Sequence, residues 1–205
     1  LLFPPGMALR AMRLASVLLC AAFIATAVVA ARQLDRRGLV VVGLVACITP
    51  QVVFFASSIN PSGLEMAAGI ALWVTAMALV RGSGAPDRGT VARFAVTAVV
   101  FSWSRPLSFV FLVAILVAVW FCFGSRTRAR QLLSGTASRV GLLVVAIGWL
   151  GSTAWALSMK SYSAAAGFPL TSATNSELLR SSIDMLPYRG RQLVGTFGWL
   201  DTELT

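Results

Sequence analysis

From Leu14 to Ala31 no residue carries a charge, and arginines close the run at Arg13 and Arg32. Lipid offers no partner to a bare N–H or C=O, so a stretch like this crosses a bilayer as a helix or not at all. About 20 apolar residues suffice, and roughly 17 are tolerated. Similar runs recur up to residue 157, separated by short arginine-bearing connections. Of the 205 residues, 58% are hydrophobic and 12% charged, against about 25% charged in soluble domains. So few charges cannot cover a water-facing surface, and so apolar a chain is the reverse of a disordered one. The fold class read from this is all-α: a polytopic transmembrane bundle over 1–157, then an extracytoplasmic segment over 158–205.

Six spans are predicted. They cover 14–31, 38–59, 63–80, 91–104, 106–123 and 140–157. Thr49-Pro50-Gln51 kinks the second, and Glu65 stands near the start of the third. The run from Val91 to Gly124 has 34 residues, about 51 Å of helix, too long for one crossing. Ser104-Arg105-Pro106 divides it, because proline disfavours helix at the residue before it and has no N–H to donate. The fifth helix is therefore expected to begin at Pro106.

Charge orients these spans. Seventeen Lys and Arg face seven Asp and Glu. Arg32, Arg36 and Arg37 share one connection; Arg81, Arg88 and Arg93 a second; Arg126, Arg128, Arg130 and Arg139 a third. These ten lie in every second connection, which the positive-inside rule places in the cytoplasm. The Asn60 turn, the Arg105 turn and the tail then lie outside. Basic residues distributed this way set topology and meet anionic lipid headgroups, not nucleic acid. The competing reading takes residues 7–30 as a signal peptide cleaved after Ala30, which inverts every later loop and opposes the charge pattern.

Histidine is absent, so no His-based triad or His-ligated metal is available in this stretch, and no cofactor fingerprint is read. Cys20, Cys47 and Cys122 all fall in apolar runs without metal-ligand spacing, and are expected as buried small hydrophobes. In the tail, Thr174-Asn-Ser-Glu177 has capping-box spacing. A surface helix over 176–185 is expected after it, with Leu178, Leu179 and Ile183 on one side.

Four residues are candidates for ligand binding, each with a plainer alternative. Asn60 suits a helix N-cap, with Pro61 at the first helical position. Glu65 sits a turn into an apolar span, where a carboxylate needs water, a partner or a ligand; a structural ion pair serves as well as substrate. Arg105 either snorkels to headgroups or holds phosphate through its bidentate fork. Asp201, in Gly198-Trp-Leu-Asp-Thr202, is a loop acid or a substrate contact. No catalytic residue is assigned.

Thr49-Pro-Gln-Val-Val-Phe-Phe-Ala-Ser-Ser-Ile-Asn-Pro-Ser-Gly-Leu-Glu65, Ser104-Arg-Pro106 and Phe197-Gly-Trp-Leu-Asp-Thr202 follow one another in that order. Together they resemble a bacterial family of predicted membrane proteins, domain of unknown function 2142, common in actinobacteria. That family is similar to the GT-C class of integral membrane glycosyltransferases. The resemblance implies a multi-pass protein of the bacterial cytoplasmic membrane, using a polyprenyl-phosphate-linked sugar donor and a cell-envelope glycan acceptor on the outer face. GT-C enzymes carry a catalytic acid in the first outer loop; here it is expected upstream of Leu1, with this chain a piece of a longer enzyme. The alternative is a non-enzymatic membrane component, either a lipid or solute transporter or an assembly scaffold.

Overall fold

The computed structural model describes residues 5–159 except 36 and 83, together with 176, 180 and 183–187. The chain divides into two compact units, Leu1–Ser161 and Tyr162–Thr205. In the first unit every described element is a helix: α1 (Pro5–Leu34), α2 (Leu39–Cys47), α3 (Pro50–Ser57), α4 (Pro61–Arg81), α5 (Arg88–Ser104), α6 (Ser108–Phe123), α7 (Arg126–Ser134) and α8 (Thr136–Ser158). In the second unit Ser176, Arg180, Ile183 and Asp184 are helical. Met185, expected as the last residue of the 176–185 helix, is a turn, and Leu186 and Pro187 are again helical; Thr174 and Glu177 of the capping box and residues 178, 179, 181 and 182 lie outside the described residues.

Three helices are long and apolar enough to cross a membrane: residues 7–34 of α1, α4 and α8. The count reaches four if α2 and α3, bent by 64° across their break, form one crossing. The sixteen-residue apolar α6 is shorter.

Several boundaries depart from the sequence reading. The expected kink at Thr49 is a full break. Ile48 leaves the helix, the Thr49 hydroxyl accepts the Val52 N–H at 3.4 Å, and Pro50 opens a new helix. The fifth span starts two residues later than expected, at Ser108, because Pro106 and Leu107 form a turn. The connection holding Arg126, Arg128 and Arg130 is not loop but helix α7, capped by the Ser125 hydroxyl on the Arg128 N–H at 3.1 Å. Cys20 is buried as expected, whereas Cys47 and Cys122 are exposed on helix faces turned away from the bundle. Arginine, a good helix former, continues α1 through Arg10 and Arg13 instead of stopping it.

α4 is the centre of the bundle. Ala67, Ala68, Ala71, Leu72, Thr75, Ala78 and Leu79 are buried along it, and α1 meets it with Cys20, Phe23, Ala27, Ala30 and Ala31. Small residues at three- and four-residue spacing let two backbones approach closely, which is how helices gain contact in lipid without a hydrophobic driving force. Both ends of this seam are marked. The Ser16 hydroxyl of α1 donates to the Ser58 carbonyl before α4 at 3.1 Å, and Gln33 of α1 meets Thr90 after α4 at 3.2 Å. α1 and α4 therefore run parallel, and the bent α2–α3 pair carries the chain back between them.

Two other pairs are also parallel. Along α4 and α6, Glu65 meets Ser108 and Arg81 meets Phe123. Along α8, added β-carbons on Gly141, Gly148 and Gly151 would touch Val91, Val99 and Trp103 of α5 in turn. α4 and α5 are antiparallel, with Gly69 against Phe101 and Ser62 against Arg105. Two indole N–H groups tie α8 to its neighbours, Trp103 to the Gly148 carbonyl and Trp149 to the Phe109 carbonyl, both at 3.0 Å. The α3–α4, α5–α6 turns thus sit at one end of the bundle, and the α1–α2, α4–α5 and α6–α7 connections at the other.

Candidate functional site

The segment Asn60-Pro61-Ser62-Gly63-Leu64-Glu65 acts as one unit. The Asn60 side-chain oxygen accepts the Ser62 N–H at 2.9 Å, and Pro61 takes the first helical position, where a missing N–H costs nothing. Gly63 allows α3 and α4 to touch: a β-carbon there would lie 2.3 Å from the Phe55 carbonyl oxygen. This close approach delivers Glu65 to the start of α6, opposite the α5–α6 turn.

Glu65 is committed at both oxygens. Oε1 accepts the hydroxyl of fully buried Ser108 at 2.7 Å, and Oε2 lies 3.5 Å from Nη1 of Arg105. Among the described residues this is the single ion pair. Nη1 of Arg105 also reaches the Ser62 hydroxyl at 3.4 Å. Both of the contacts described for Arg105 thus use one nitrogen, and 52% of its side chain is exposed, against 20% for Glu65. The guanidinium is held from one side and faces outward with the other, a geometry that suits a phosphate or carboxylate arriving from the open side. Leu64 and Ser104, the chain neighbours of Glu65 and Arg105, line an apolar recess of about 340 Å³ together with Val99, Val100 and Trp103.

Of the four candidates, Glu65 and Arg105 come together. Asn60 stands at the same turn, but its side-chain oxygen serves as the helix cap. Asp201 lies outside the described residues. Sequence reading missed Ser62 and Ser108, which complete the cluster; a serine in the first turn of a helix beside a buried charge was the available signal. The helix expected to begin at Pro106 begins at Ser108, because Pro106 and Leu107 belong to the turn.

A profile of predicted membrane proteins, DUF2142, matches residues 5–205. The chain belongs to the DUF2142 family. No curated protein and no solved structure matches it.

The opposite end of this DUF2142 bundle is also polar. Arg128 of α7 is buried, and its Nε and Nη2 donate to the Leu79 carbonyl at 3.0 and 2.5 Å. Its Nη1 donates to the Gly84 carbonyl and, at 3.0 Å, to the Gln131 amide oxygen. The side chain thereby caps the C-terminus of α4, where free carbonyls and the helix dipole favour a cation. Burial pushes its pKa down from the usual arginine value, though not far enough to discharge a guanidinium. At the start of α5, Asp87 caps the Thr90 N–H at 3.0 Å and accepts the Thr90 hydroxyl. Those two bonds, hydroxyl first, with a smaller attraction from Arg93, hold its carboxyl below the ordinary range. An apolar groove of about 580 Å³ between α5 and α8 is lined by Val91, Ala95, Val99, Val140 and Val144 among others, with Arg88 and Thr136 also in its lining.

Proposed function

We propose that this DUF2142 protein is a GT-C-like glycosyltransferase of the bacterial cytoplasmic membrane, in which Arg105 holds the phosphate of a polyprenyl-phosphate-linked sugar at the extracytoplasmic end. The observation that carries this reading is the half-exposed Arg105, anchored at Nη1 by Glu65 and Ser62 beside an apolar recess. A charged phosphate on the guanidinium and an isoprenoid chain in the recess satisfy both halves of that arrangement. Six crossings follow, since α5 and α6 join the same two ends of the bundle as α1, α4 and α8. Ten basic residues at the other end make that end cytoplasmic. Residues 158–205 are extracytoplasmic on this reading.

The chemistry is inverting attack by an acceptor hydroxyl on the anomeric carbon. The C–O bond to the polyprenyl phosphate breaks, the phosphate leaves with the electron pair, and the hydroxyl proton passes to a carboxylate base. Arg105 stabilises the charge gathering on the departing phosphate. Glu65, with both oxygens occupied, orients Arg105 and is not the base.

Polyprenyl phosphate binding to the protein in nanodiscs tests this. Arg105→Lys keeps the charge and loses the planar fork, so affinity should fall about tenfold, roughly 1.4 kcal/mol. Arg139→Lys should leave it unchanged. Equal effects of the two substitutions refute the assignment. The bent α2–α3 pair favours a second reading, a transporter, since discontinuous helices mark transport sites. Lipid translocation across vesicles without sugar transfer is the result that would select it.

A further inference from the structure

At the end of the bundle opposite Arg105, a polar cavity of about 360 Å³ opens between the end of α4, the end of α6 and the first turn of α7. Arg81, Gly82, Phe123, Ser125, Thr127 and Arg128 line it, and no acidic residue does. Its size falls within the roughly 300–1,000 Å³ of small-ligand sites.

The charge here is unbalanced. Buried cations are ordinarily paired with an anion, yet every partner of Arg128 is a neutral oxygen: the carbonyls of Leu79 and Gly84 and the amide of Gln131. The α4 dipole offsets only about half a charge. Arg81 adds a second guanidinium at the rim, steadied 5.3 Å above the Phe123 ring. Two positive side chains, a serine and a threonine in one concavity call for a monoanion with several acceptor oxygens.

The surroundings specify where that anion comes from. Phe123 ends an exposed apolar stripe along α6 formed by Val113, Val117 and Trp120. A ligand with its phosphate in the cavity can lay hydrocarbon along that stripe, whereas a soluble anion leaves it bare. We propose that this cavity is a binding site for the phosphodiester headgroup of an anionic phospholipid, of the phosphatidylglycerol type, in the leaflet at this end of the bundle. Arg81 makes the direct charge-assisted contact, and Arg128, held in place by α4, supplies the field. A zwitterionic headgroup brings its own cation toward two arginines and is disfavoured.

The site is independent of the donor role assigned to Arg105, so the two can fail separately. Native mass spectrometry of the full chain, delipidated in detergent and titrated with phosphatidylglycerol or phosphatidylcholine, provides the test. Phosphatidylglycerol should stay bound and phosphatidylcholine should not. Arg81→Gln, which removes one charge-assisted contact, should weaken phosphatidylglycerol about tenfold. Thr127→Asp, at an exposed position that leaves the Arg128 clasp intact, should do the same by placing a negative charge in the cavity. Arg105→Gln should have no effect. Unchanged binding in both cavity variants, equal retention of the two lipids, or displacement of phosphatidylglycerol by an equal concentration of inorganic phosphate would each overturn the proposal.

Discussion

Gly63→Ala offers a sharp test of how α3 meets α4. A β-carbon at Gly63 would stand 2.3 Å from the Phe55 carbonyl oxygen, 2.6 Å from its carbon and 2.9 Å from the Ala56 nitrogen. All three are backbone atoms, so no side chain can turn aside. Relief requires α3 and α4 to separate by about 1 Å, and a gap of that size forfeits a quarter to a half of the dispersion energy of each affected pair. Overpacking of this kind costs about 1–3 kcal/mol. Against it stands the helix propensity of alanine over glycine, worth about 1 kcal/mol at most near a helix start. The net expectation is destabilisation by up to about 2 kcal/mol. Gly43→Ala in α2 is the matched control, because a β-carbon there meets nothing within 4 Å. The same substitution should leave stability unchanged or raise it by up to about 1 kcal/mol. Thermal unfolding in detergent, followed by near-ultraviolet circular dichroism, reads both. Opposite signs support the close approach; equal shifts for the two alanines would refute it.

Arg128→Met should destabilise the fold by about 2–4 kcal/mol, because the Leu79 and Gly84 carbonyls lose a charged donor; proteolysis between Arg81 and Arg126 should accelerate, and a rate like that of the parent chain counts against the clasp. Gly141→Ala should cost less than Gly63→Ala, since its 2.3 Å contact is a Val91 methyl, which can rotate away; the same unfolding measurement ranks the two. Asp87 carries a pH dependence. Its folded pKa is depressed, so its contribution is present above the ordinary carboxylate value and disappears as pH falls through the lower folded value. Asp87→Asn keeps a capping oxygen and should flatten that acid limb of the stability profile. Cysteines placed at Ser57 and Ser134 should label from opposite sides of the membrane; labelling of both from one side refutes the six-crossing arrangement.

Composition and charge spacing made the helical bundle legible, and the proline and capping signals at Asn60-Pro61 located the start of α4 to within two residues. The same signals stand at Thr49-Pro50, where the apolar residues on both sides point instead to a kink within one span. A Thr-Pro pair inside an apolar run announces a new N-cap as readily as a bend, and only the position of Ile48 separates them. α7 was hidden by its charges: three arginines in five residues read as a solvated loop, yet one of them faces inward to cap α4. That contact joins residues 49 apart in sequence, and no local pattern encodes it. The meeting of Glu65 and Arg105 was inferable as a need, since both charges sit at the edge of apolar spans. Ser108 as the partner of the second carboxylate oxygen depends on the parallel run of α4 and α6, which periodicity does not show.

The parallel seam between α1 and α4 also constrains the order of assembly. Antiparallel neighbours can dock as soon as the second emerges from the insertion machinery, but parallel ones must wait for the chain to return. Until Pro61–Arg81 has been made, Cys20, Phe23, Ala27 and Ala31 lack the α4 face they meet in the finished bundle. α1 is suited to that interval: Leu14, Leu18, Leu19 and Val29 still face outward in the finished bundle, and no charge interrupts it between Arg13 and Arg32. A nascent chain stalled in α2 or α3 therefore holds α1 without its α4 partner, and the close alanine contacts of the core form only after α4 is threaded back beside it.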